Sequence, residues 1–117
     1  NMAGSVSQMK TEGCILFLED TGEYLYGVDR MFWNLKRAGM LDDLNGLILG
    51  GFKNKEDNPG EEFVKQLEEI VHEKISGRKF PVCFDFPVGH QVNNYALRCG
   101  QMHRLTVTVQ ESRLESF

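Results

Sequence analysis

The sequence predicts an α/β domain, and three observations carry that prediction. Three short apolar runs, "CILFL" (14–18), "GLILGGF" (46–52) and "FPVCFDF" (80–86), read as buried strands. Patterns of helical period fill the two intervals between them. The tail, "RLTVTVQ" and "SRLESF", alternates apolar and polar residues, as half-exposed strands near a sheet edge do. The order β-α-β-α-β followed by further strand gives a parallel core with an antiparallel tail.

Taken in order, the opening "NMAGSVSQMKTE" is small and polar without periodicity, so 1–12 reads as a leader, a linker or an expression remnant, and 13–117 as one domain. The first strand ends at Leu18, which puts Glu19 and Asp20 at its carboxyl end. Thr21 is the expected N-cap of a helix from about Glu23 to Ala38, with Leu25, Val28, Phe32 and Leu35 along one face and Gly39 as its stop. The second strand closes on Gly50 and Gly51. In "KNKEDNPG", Asn58 precedes Pro59 and stands three before Glu61, predicting a second helix from there through Phe63, Leu67, Ile70, Val71 and Ile75 to Gly77. The third strand is expected over 80–86, and "PVGHQVNN" after it is a loop by its Pro, Gly and Asn content.

At 117 residues, 41% hydrophobic and 26% charged, the chain suits a single core. A net charge of -4 offers no broad attraction to a phosphate backbone or an anionic membrane, so nucleic acid is not expected as a partner. No run approaches the roughly 18 apolar residues of a membrane span. The three cysteines, Cys14, Cys83 and Cys99, are odd in number and form no C-x-x-C pair, which points to reduced, buried or half-buried thiols in a cytosolic protein.

Ligands of open α/β sheets bind outside the carboxyl ends of the strands. The loop after Leu18 carries Glu19, Asp20 and Glu23, and the loop after Phe86 carries His90. If those strands are neighbours, a carboxylate and an imidazole face each other, which makes two members of a catalytic triad. The plain alternative is acidic residues complementing a helix dipole and a solvated loop histidine. The third member is missing: Ser5, Ser7, Ser76, Ser112 and Ser116 all lack the glycine-flanked strand-to-helix turn of a serine nucleophile, Cys83 lies inside a strand, and Cys99 has no glycine elbow. His72 among Glu68, Glu69 and Glu73 reads as a solvated helix face rather than a metal site, His103 has no partner in sequence, and "LGGFKNK" lacks the ending of a phosphate loop.

"GCILFLEDTGEYLYGVDRMFWNLKRAGMLDDLNGLILGGF" followed by "FPVGHQVNNYALRCG" resembles the carboxyl-terminal domain of the LD-carboxypeptidase family of serine peptidases, which includes the microcin-C immunity peptidases. The resemblance rests on Leu-Glu-Asp-any-any-Glu, Asp-Arg-Met, the Leu-Gly strand end, and Pro-any-Gly-His with an asparagine four residues on. It departs at Arg98, where family members often carry proline. It implies a swivelling β/β/α-type domain, a catalytic glutamate at Glu19 and a catalytic histidine at His90, with Asn94, Glu23 and Arg30 at substrate-binding or supporting positions. The implied partner is an amino-terminal domain carrying the nucleophilic serine, so this chain alone would be inactive. The implied reaction releases D-alanine from a murein tetrapeptide in cytoplasmic cell-wall recycling, with no metal or organic cofactor and room for a homodimer. An immunity peptidase acting on a peptidyl-nucleotide and a non-enzymatic binding module stay open as alternatives.

Overall fold

The computed structural model describes residues 2–117. Three parallel strands form the central sheet in the order β1-β2-β3: β1 (Ile15–Thr21), β2 (Gly46–Lys53) and β3 (Val82–Cys83). The helices α1 (Leu25–Arg37) and α2 (Leu67–Lys74) make the two crossovers, and β4 (His103–Val107) pairs antiparallel with β5 (Ser112–Ser116) as a separate two-stranded sheet. This is the α/β arrangement with a parallel core and an antiparallel carboxyl-terminal tail that the sequence predicts.

Both crossovers step in the same direction, so their shared handedness puts both helices on one face of the sheet. Side chains alternate along β2. Leu47 and Leu49 join Leu16, Val28, Phe32, Leu41, Ile70 and Val71 in the core beneath the helices. Gly46, Ile48 and Gly50 take the other face, where Leu105 of β4 packs against Gly46 and Val88 against Gly50. The layers are therefore hairpin, parallel sheet and helices. Lys74 of α2 is fully buried between the helices, paired with Asp29 of α1, with its Nζ 4.8 Å from the centre of the Trp33 ring.

Several boundaries differ from the sequence expectation, each for a local reason. β1 runs three residues beyond Leu18 because β2 continues beside it, pairing Asp20 with Phe52 and Thr21 with Lys53; Glu19 and Asp20 thus lie in the strand, not beyond it. As an edge strand, β1 is also only partly buried. Thr21 does not cap α1, since it is extended and followed by Gly22 at φ +87°; the N-cap is Tyr24, without a side-chain cap bond. Asn58 and Pro59 do not start α2. Gly60 turns left-handed, the Asn58 amide bonds Glu61, Phe63 N–H bonds Asp57 at 2.9 Å, and the helix starts where Gln66 and Glu69 form a reciprocal capping box.

The third strand shrinks to Val82–Cys83, because Asp85 adopts φ +52° and turns the chain. The tail strands pair with each other rather than with the parallel sheet's edge. Cys83 is buried, but Cys14 and Cys99 are exposed, where all three are expected from sequence to be buried or half-buried. No helix among the described residues is long and apolar enough to cross a membrane. The expected leader, 1–12, begins with Asn1, outside the described residues; residues 2–12 carry neither helix nor strand, and Thr11 is buried.

Candidate active site

The site is built on an irregularity in the β1–β2 ladder. Leu18 pairs with Leu49 and Asp20 with Phe52, so Glu19 alone stands opposite two residues, Gly50 and Gly51. A bulge of this kind bends a strand and re-aims side chains, and here it sits at the carboxyl end of the sheet. Phe17 is near Gly50 on the face away from the helices, and Glu19, two residues on, shares that face.

Both glycines are needed for the loop that crosses there. A Cβ on Gly50 would lie 2.6 Å from Val88 O, and one on Gly51 would lie 3.1 Å from the His90 carbonyl carbon. With no side chains in the way, the loop lies directly on the strand end. Gly51 N–H donates to Val88 O at 2.7 Å, Phe86 N–H to Leu49 O at 3.0 Å, and Gly51 and Gly89 form an isolated parallel bridge. Gly89, at φ +88°, then turns the chain over Glu19.

The outcome is a hydrogen bond between His90 Nδ1 and Glu19 Oε2. With the carboxylate ionised and so able only to accept, Nδ1 is the donor of this bond, and Nε2 has no hydrogen-bond partner among the described residues. The His90 and Glu19 side chains are 50% and 30% exposed, which leaves the pair open on one side. Asn94 Oδ1 accepts from Gly89 N–H at 3.1 Å and so ties the far end of the turn to its start. Phe17, Glu19, Val88, Gly89, His90, Asn94, Tyr95, Leu97 and Cys99 line an open cleft of about 300 Å³.

Of the residues singled out from sequence, Glu19, His90 and Asn94 meet in this cleft, and Glu23 and Arg30 do not line it. Glu23 stands before α1, its N–H donating to the Asp20 carboxylate and its carbonyl accepting from Lys55 N–H. Arg30 lies on the outer surface of α1 with its guanidinium 5.3 Å from the Tyr26 ring centre. His72 leans on Phe84, and His103 Nδ1 meets Gln101 O. Among the described residues, no three His, Cys, Asp or Glu side chains converge as a metal site. Sequence reasoning passed over Gly50, Gly51 and Gln91; two consecutive glycines inside an apolar run were the available signal of a bulge and a close crossing.

A carboxylate-bonded imidazole on the open face of an α/β domain is chemically able to take up and return a proton. Residues 1–105 match the LD-carboxypeptidase C-terminal domain, and the chain belongs to that family. It is 32% identical over 114 residues to the murein tetrapeptide carboxypeptidase of Pseudomonas aeruginosa, covering 97% of this chain and 35% of that protein. The muramoyltetrapeptide carboxypeptidase crystal structure from Oxalobacter formigenes superposes with a TM-score of 0.81 at 27% identity, over 97% of this chain and 39% of that one. The chain thus spans about a third of the length of these relatives.

Proposed function

We propose that this domain supplies the glutamate and histidine of a Ser-Glu-His triad to an L,D-carboxypeptidase, with the serine on a preceding amino-terminal domain. The observation that carries the reading is the Glu19–His90 hydrogen bond with Nε2 free, in a cleft open on one side. His90 Nε2 takes the proton as the serine oxygen attacks the amide carbonyl between the L-centre of the diamino acid and the terminal D-alanine of a murein tetrapeptide. The tetrahedral adduct collapses, the C–N bond breaks, and Nε2 returns the proton to the leaving amine. Water then attacks the acyl-enzyme by the same route in reverse. Glu19 holds the Nδ1–H tautomer and stabilises the imidazolium throughout.

The half-exposed pair supports a covering domain, because closing the cleft removes water and strengthens both hydrogen bonds and developing charges. On this reading the chain alone does not turn over, and the cycle operates in cytoplasmic murein recycling. The test uses the complete polypeptide that encodes this domain. His90→Ala and Glu19→Gln should each lower kcat for D-alanine release by about 10³- to 10⁴-fold, with the fold intact. Release of D-alanine at enzyme-like rates by this chain alone, or full activity in either variant, would overturn the split triad. One observation favours a second substrate: Tyr95, 68% exposed on the cleft wall, could stack a nucleobase of a peptidyl-nucleotide. Comparing hydrolysis of the two substrate classes decides between them.

A further inference from the structure

The carboxamide nitrogen of Gln91 is spent on the main chain that delivers His90. Its Nε2 donates to Phe86 O and, at 3.0 Å, to Val88 O. Two carbonyl acceptors can be served only by the amide nitrogen, so the orientation of the group is dictated by its partners. The stem is held as well: a Cβ on Gly51 would lie 3.0 Å from Gln91 Cβ and 3.1 Å from its Cγ. Val88 O receives Gly51 N–H in addition, and Gln91 N–H closes back on Gly89 O at 2.9 Å. The residue directly after His90 is thereby fastened to the two carbonyls on its approach and to the bulge in β2.

We infer that Gln91 is a positioning residue for His90, acting through the 86–90 main chain to hold the ring where Nδ1–H meets Glu19. The inference rests on the catalytic pairing proposed above. An exposed loop would let an imidazole sample several rotamers and both tautomers; two side-chain bonds to the loop's own carbonyls remove most of that freedom.

Proton–nitrogen NMR of the histidine rings in the 117-residue chain tests it. Gln91→Met keeps the side-chain length and the packing on Gly51 but has no donor. The unsubstituted chain should show His90 as a single tautomer with a downfield, slowly exchanging Nδ1–H. Gln91→Met should lose that resonance and show both tautomers, while His72, His103 and the β2 amides stay in place. Gln91→Asn, one methylene shorter, is a second variant with the same expected loss. In the complete polypeptide kcat should fall about 10- to 100-fold with KM nearly unchanged. Retention of the resonance in a folded variant overturns the clamp and leaves the pairing intact, and unfolding of both variants also overturns it by assigning Gln91 to the fold. Absence of the resonance in the unsubstituted chain, with no change in Glu19→Gln, overturns the pairing and the clamp together.

Discussion

Gly89 passes over Glu19 so closely that a Cβ on it would lie 2.8 Å from Glu19 Cβ and 3.1 Å from Oε2. The glycine of Pro-any-Gly-His is thus required twice, once for its φ of +88° and once for the room it leaves above the carboxylate. The close approach is what sets the imidazole of the next residue against Oε2.

Gly89→Ala follows directly. The left-handed backbone alone costs a residue with a Cβ about 1–2 kcal/mol, read as a lower midpoint in urea. The added methyl also pushes Glu19 aside. Activity of the complete polypeptide should drop with Glu19→Gln rather than in proportion to the stability lost. A variant with near-normal kcat and intact His90 Nδ1–H would show that the loop can move without releasing the pair.

The thiols give a second test. Burial pushes the Cys83 thiol above its ordinary range, partly opposed by a hydrogen bond with Ser112, whereas Cys14 and Cys99 are exposed. A thiol reagent at mildly alkaline pH should label two cysteines quickly and the third only on unfolding. The sign for stability follows from the raised value. The neutral Cys83 thiol is fully favourable below the unfolded thiol's pKa of about 8.5, and its contribution is lost as pH rises through the higher folded value. Cys83→Ala should therefore flatten the alkaline decline in stability; an unchanged decline would count against this account.

Between the helices, Lys74 has no exposed side-chain surface and Asp29 only 15%. Glu73 also reaches Lys74 Nζ at 3.1 Å, but from an exposed position. Asp29→Ala strips the buried ammonium of its better partner and should destabilise the chain by about 3 kcal/mol in chemical denaturation. Replacing both members, Asp29→Leu with Lys74→Met, should recover most of that loss, because desolvating the pair offsets much of its attraction. A double variant as unstable as the single would mean that packing around Trp33, and not charge, sets the penalty.

The element order and the parallel core are legible in the sequence, and Glu19 and His90 stand out in it as candidates for the carboxyl edge of the sheet. Apolar runs of strand length and helical spacing reflect burial, and burial is dictated residue by residue. Glu19 and His90 were legible because both lie next to such runs, and because their motifs resemble those of a family. How far each element runs depends on contacts between elements. β1 continues through two acidic residues since β2 offers backbone partners, and α2 starts only at Leu67, after its Gln66 cap, because the Asp57–Phe63 loop satisfies its own polar groups first. Only the tertiary structure set two glycines of β2 against one glutamate of β1 and fastened Gln91 onto the loop that crosses them. The two glycines stand about 30 positions from Glu19, and the loop that Gln91 fastens lies about 40 from Gly51 and about 70 from Glu19, and no local propensity encodes a register shift between strands or a crossing of that range.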